Sequence, residues 1–127
     1  MYVMPAAQSP HEIRDILDRL VGRTITELHV FGINSLKSVT PTPADLTGAR
    51  IDAVSVEDRM LELRTQAYTV AVDLQRTGRL VWFSEPPSAV VGPVSRPTVR
   101  VLLQSGNGVD FTEPAKTKRI SVRIARA

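Results

Sequence analysis

Ser9-Pro10-His11-Glu12-Ile13-Arg14-Asp15-Ile16-Leu17-Asp18-Arg19-Leu20-Val21-Gly22-Arg23-Thr24-Ile25 contains the change of period that decides the fold. Ser9 can cap a helix, Pro10 fits the first helical position, and Glu12 stands three after the serine as in a capping box. Ile13, Ile16, Leu17, Leu20 and Val21 recur at helical spacing and make one apolar stripe. Gly22 suits the C-terminal stop. The spacing predicts one helix of about twelve residues with a single face for a core. Beyond Gly22 the helical period does not return.

Working outward, Thr24 to Phe31 is rich in β-formers. Ile51 to Val56, Met60 to Arg64, Tyr68 to Leu74 and Arg79 to Phe83 follow as short runs separated by turn residues. Val99 to Gln104 and Val109 to Thr112 flank Ser105-Gly106-Asn107-Gly108, a strong hairpin pattern. Ile120 to Ile124 alternates again. About eight strands behind one helix define a mainly β chain, a sandwich or a barrel. Pro41 to Asp45 reads as a loop or a single helical turn. Pro86 to Pro97, with four prolines and a glycine, reads as a long surface loop.

The 127 residues suffice for one domain, taken as 1–127. No apolar run approaches the ~20 residues of a membrane span. Met1-Tyr2-Val3-Met4-Pro5 lacks the cationic start and apolar stretch of a secretory signal, so the expected location is the cytoplasm. Cysteine is absent, which excludes disulfides, thiol nucleophiles and cysteine metal sites. His11 and His29 cannot make a zinc site alone, and no metal or cofactor is expected. Net charge is +3, but its distribution is uneven. Arg96, Arg100, Lys116, Lys118, Arg119, Arg123 and Arg126 face only Asp110 and Glu113 in the last third. That suits phosphate backbones, and equally a plain solvated basic face.

Four blocks in order carry a resemblance. The helix with Val21-Gly22-Arg23-Thr24-Ile25 looks like the opening of the formamidopyrimidine-DNA glycosylase and endonuclease VIII family, the MutM-like proteins. Leu46-Thr47-Gly48-Ala49-Arg50-Ile51 resembles the family's Leu-x-Gly-x-x-Ile block. Val72-Asp73-Leu74-Gln75-Arg76-Thr77-Gly78-Arg79-Leu80 is similar to its His-Leu-Gly-Met-Ser-Gly-x-Leu hairpin. Phe111-Thr112-Glu113-Pro114 is similar to its Phe-x-Asp-x-Arg-x-Phe-Gly block. The resemblance covers nearly the whole chain. It implies the family's N-terminal domain, a two-sheet β-sandwich flanked by helical segments. It also implies that the family's other half, a helix-two-turn-helix and zinc-finger domain, is not in this sequence.

The same resemblance shows where the chemistry fails. The family's mature chain begins Pro-Glu; the proline amine attacks the sugar and the glutamate moves protons. Only a free terminal amine can do this. Here the match is Met4-Pro5-Ala6: Pro5 nitrogen is an amide, and Ala6 replaces the carboxylate. Starting at Met4 would free Pro5 without restoring the acid. Arg59 stands where the family has a phosphate-contacting lysine; the alternative is a strand-end arginine in solvent. The family's wedge residues, which fill the stack when a base is extruded, become Arg76, Ala115 and Thr117, a poor apolar set. Asp73 replaces a histidine and, if exposed, would repel phosphate. Lys116, Lys118 and Arg119 lie on the loop where the family grips DNA, and are read either as DNA contacts or as a solvated strand.

Among the remaining residues, His11 reads as first-turn surface and His29 as a strand-face residue. Trp82 and Phe83 cap the core or form a contact patch. Lys37 and Lys116 are amines capable of a weak Schiff base with abasic sugar. The expected function is a stand-alone, non-enzymatic glycosylase-like domain, either a weak binder of double-stranded DNA or a protein-interaction module. Two alternatives stand beside it: a reduced glycosylase or abasic-site lyase, and a homodimeric or partner-subunit structural protein.

Overall fold

Ser9 starts the helix as its chemistry requires. Its hydroxyl accepts from Glu12 N at 3.1 Å, and Glu12 Oε1 accepts from Ser9 N at 3.3 Å. The computed structural model describes residues 8–32, 34–85, 97–114 and 119–127. Helix α1 spans Pro10–Asp18, shorter than the apolar spacing suggests. Leu20 N bonds to Leu17 O, which tightens the last turn, and Gly22 takes a left-handed φ of 84°. Ile13, Leu17 and Leu20 are buried, Ile16 is half-buried, and Val21 is 44% exposed, so the stripe ends one residue early.

The eight expected strands are all present: β1 (Ile25–Val30), β2 (Ala53–Glu57), β3 (Met60–Arg64), β4 (Tyr68–Asp73), β5 (Arg79–Phe83), β6 (Val99–Leu103), β7 (Gly108–Thr112) and β8 (Ser121–Arg126). They form two four-stranded sheets, β1-β6-β7-β5 and β2-β3-β4-β8, with every pairing antiparallel. Alternation decides which face is inward. Leu61, Leu63, Val70, Val72, Val122 and Ile124 of one sheet are buried, as are Leu28, Leu80, Val99, Val101, Val109 and Phe111 of the other. Helix α1 packs against β5 and β2, the edge strands on one side, and buries its stripe there. On the other side a 3-10 turn at Pro43–Leu46 packs on β1, and Leu36 makes a parallel bridge to Val122 of β8. Residues 34–37 thereby run beside β8.

Other expectations are met locally. Gly106, at φ 89°, forms the β6–β7 turn, with Leu103 N bonded to Asn107 O at 2.8 Å. His11 lies exposed on the first turn of α1, and His29 lies on β1 beside Glu27. Trp82 is half-buried against the core, with the guanidinium carbon of Arg19 5.5 Å from its ring centre. Phe83 is half-buried, with Arg100 5.6 Å from its ring centre. The proline-rich stretch 86–97 lies outside the described residues, apart from buried Pro97. Among the described residues, no helix is long and apolar enough to cross a membrane.

Gly108 is needed for close approach. A Cβ there would lie 2.1 Å from Val101 O and 2.7 Å from Phe83 Cζ. Gly108→Ala should therefore destabilise the fold by about 1–3 kcal/mol, the usual cost of overpacking. Urea unfolding monitored by Trp82 fluorescence measures this; a change below about 0.5 kcal/mol would contradict it.

Candidate nucleic-acid interface

The turn joining β4 to β5 is built by Asp73. Its Oδ1 accepts from Gln75 N at 2.9 Å, the local turn that aspartate favours. Gln75 then sits at φ 57°, and Gly78 N bonds to Leu74 O at 3.0 Å to close the loop. Arg76 stands exposed at the tip. Asp73 is half-buried and occupied within the turn, so its carboxylate has a structural task.

Arg59 fastens this turn. Its Nε donates to Gln75 O at 2.9 Å, one terminal nitrogen donates to Gln8 O at 2.9 Å, and the other donates to Gly78 O. Its own carbonyl accepts from Leu74 N at 2.9 Å. Arg59 is half-buried, and these bonds use three of the five N–H donors of a guanidinium. A strand-end arginine free in solvent is thus not what the structure shows. Gln8 extends the knot. Its side-chain amide donates to Leu80 O at 2.9 Å and accepts from Leu80 N at 2.8 Å, like one rung of a ladder.

Beside the turn lies an open depression of about 400 Å³, lined by Asn34, Lys37, Gln75, Arg119, Ser121 and Arg123. Lys37, Arg119 and Arg123 are exposed, and among the described residues none of the three has a carboxylate within salt-bridge distance. Each is held by its backbone. Lys37 N bonds to Val122 O at 2.8 Å, and Arg123 pairs with Ala71 in the β4–β8 ladder. Arg119 N donates to Glu113 Oε1 at 2.6 Å. Glu113 is buried and also accepts from Ile120 N at 3.0 Å and from Thr98 Oγ1 at 2.7 Å. The carboxylate thereby fixes the neck of the basic loop.

Of the site residues expected from sequence, the structure brings Arg119 to this depression, places Arg76 at the neighbouring tip and uses Arg59 as the fastening behind both. Pro5, Ala6, Ala115, Lys116, Thr117 and Lys118 lie outside the described residues. Sequence reasoning missed the depression's other members: Asn34, Lys37 in this role, Gln75 and Arg123. Period-two alternation from Arg119 through Ser121 to Arg123 would have placed those three on one outward face. Nothing local would have brought Lys37 to them.

A leading helix followed by two stacked antiparallel four-stranded sheets is also the fold found in solved structures of Fpg. The chain superposes on the Lactococcus lactis Fpg in complex with abasic-site DNA at a TM-score of 0.71 and 13% identity, over 90% of this chain and 41% of that one. The Lactococcus lactis Fpg (MutM) bound to FAPY-dG DNA gives 0.69 and 13%, over 90% and 41%. The Lactococcus lactis Fpg with a THF-DNA and an inhibitor gives 0.69 and 13%, over 90% and 41%. At this identity the likeness establishes the fold, that of the Fpg N-terminal domain. The chain spans about two fifths of the length of these proteins. No protein-family model and no curated protein matches the sequence.

The fastening can be tested apart from any ligand. Arg59→Lys keeps the charge but cannot reach three carbonyls from one planar fork. With two charge-assisted bonds lost, stability should fall by about 2–4 kcal/mol. Arg76→Lys at the exposed tip should stay within about 0.5 kcal/mol. Equal urea midpoints for the two variants would contradict the role given to Arg59.

Proposed function

We propose that this chain is a DNA-binding domain of glycosylase ancestry that grips the phosphate backbone and has lost base-excision chemistry. The observation that carries the proposal is the depression itself. Lys37 and, some eighty residues on, Arg119 and Arg123 line one surface; among the described residues no carboxylate lies within salt-bridge distance of them, and Arg76 follows the lining residue Gln75 in the sequence. Such contacts give affinity that depends on salt and carry no sequence information. Lys116 and Lys118, between Glu113 and Arg119 in the sequence, are two further cations of the basic C-terminal third.

The loss of chemistry rests on residue identities. Ala6 has no group that moves a proton, wherever the chain begins. Pro5 nitrogen lies inside a peptide bond in this sequence and cannot form a Schiff base. The tip of the β4–β5 turn offers Arg76, whose charged end stays hydrated where an apolar wedge must enter the base stack. The proteins that share the fold are solved with abasic-site and FAPY-dG DNA, which supports a DNA ligand for the same scaffold.

Titration of a duplex at several salt concentrations tests the reading. With about three phosphates neutralised, affinity should fall roughly 40-fold between 50 and 200 mM salt. Arg76→Ala and Arg119→Ala should each reduce the salt slope by about one and weaken all sequences alike. No binding at 50 mM salt would reject the proposal. Borohydride trapping on abasic duplex should give no more than trace adduct. A near-stoichiometric adduct abolished by Lys37→Arg would replace the proposal with a lyase that uses that amine.

A further inference from the structure

We infer that the depression formed by Asn34, Lys37, Gln75, Arg119, Ser121 and Arg123 is a seat for a phosphate monoester, the group left at a break in a DNA strand. The inference rests on the DNA-binding reading and goes beyond it by naming the ligand that this surface prefers.

Charge stoichiometry is the first ground. An intact backbone diester carries one charge and two free oxygens, and one basic side chain commonly meets it. A monoester carries nearly two charges at neutral pH and three strong acceptor oxygens. Three cations around one depression exceed what a diester needs and match a monoester. The second ground is the neutral lining. Asn34, Gln75 and Ser121 add amide and hydroxyl donors between the cations, and no carboxylate lines the depression. Two guanidinium groups are suited to bidentate contact with phosphate oxygens, while the Lys37 amine is a compact point charge.

The third ground is that the seat is anchored. Asp73 holds Gln75 N, Arg59 holds Gln75 O, Glu113 holds Arg119 N, and Val122 O holds Lys37 N. Like charges kept together without a counter-ion repel one another, and these anchors resist that repulsion. The backbone that carries the seat is thus fixed, which lowers the ordering cost of binding an anion, and an anion offsets the mutual repulsion of the cations. The depression is open, which suits a chain end projecting from a duplex.

Two measurements decide it. The first is binding to a duplex with a one-nucleotide gap, prepared with a 5′-phosphate, with a 3′-phosphate, or with hydroxyls on both sides. One phosphorylated arm should bind at least tenfold more tightly than the hydroxyl arm, and the arm that does so identifies the end recognised. Lys37→Ala and Arg123→Ala should each bring that ratio close to one; both residues are exposed, and thermal unfolding confirms that the variants fold. The second uses inorganic phosphate alone, followed by the NMR shifts of the Asn34 and Gln75 side-chain amides, with chloride at equal ionic strength as the control. Saturable shifts with phosphate are expected. Equal binding of all gapped arms, with salt-dependent binding to intact duplex retained, would overturn the monoester seat and leave the DNA-binding reading standing. Saturable phosphate shifts without binding to any DNA would do the reverse.

Discussion

Arg59 ties together three pieces of chain: the segment entering α1 at Gln8, the β2–β3 turn it belongs to, and the β4–β5 turn at the end of the β3–β4 ladder. Turn carbonyls turned away from solvent need partners, and a ladder supplies none at these positions. A guanidinium can meet three of them at once because its donors are fixed in one plane. Two of the non-glycine residues in this region, Asp58 and Gln75, hold left-handed backbones at φ 55° and 57°. Such conformations cost of order 1 kcal/mol each and persist where neighbours over-determine them. Arg59, Asp73 and Gly78 provide that constraint. Gln8 then carries it to β5 through its amide pair with Leu80, so the helix, both sheets and the functional turn share one fastening.

This arrangement explains why the fold was legible in the sequence and much of the site was not. Burial alternates along β2, β3, β4, β6 and β8, so those strands can be read locally, while β7, buried at four successive positions, is legible from the hairpin turn before it. The helix was over-extended because Leu20 is buried and continues the stripe, although the backbone has already left the helix at Asp18. Burial and helicity part there because Gly22 turns the chain while Leu20 still points inward. Arg59 carries two readings in the sequence, a phosphate contact and a strand-end arginine in solvent, for a different reason. A lone arginine beside a turn looks like surface charge, and only the approach of Gln8 and Gly78, distant in sequence, supplies its acceptors.

Glu113 shows the same limit from the opposite side. In the sequence it is an acid within a basic third, a residue that weakens a case for phosphate binding. In the structure it is buried and spends its charge on Thr98 and on the backbone N–H groups of Arg119 and Ile120. Charge-assisted bonds of this kind are short and strong. The acid therefore holds the backbone at Arg119 and Ile120 and is itself buried. Asp73 is used likewise, its carboxylate turned to Gln75 N. A count of charges along the chain would subtract both acids, whereas the surface that a ligand meets loses neither cation to them.

The contrast with the buried pair Arg100–Asp110 makes the distinction physical. That pair is bidentate, at 2.7 and 2.9 Å, about 15% exposed, and the aspartate raises the arginine's pKa against the effect of burial. Here a cation and an anion were placed together and the charge cancels within the sheet. Around the depression, cations were placed together and the available acids were turned inward to the backbone. A fold under selection only for stability gains nothing from that second arrangement, since like charges at one surface oppose folding. Uncancelled charge of this kind therefore sets the depression apart from the Arg100–Asp110 pair. Arg59 and Glu113 thus spend their charge on backbone groups behind the surface, while Lys37, Arg119 and Arg123 stay exposed around the depression.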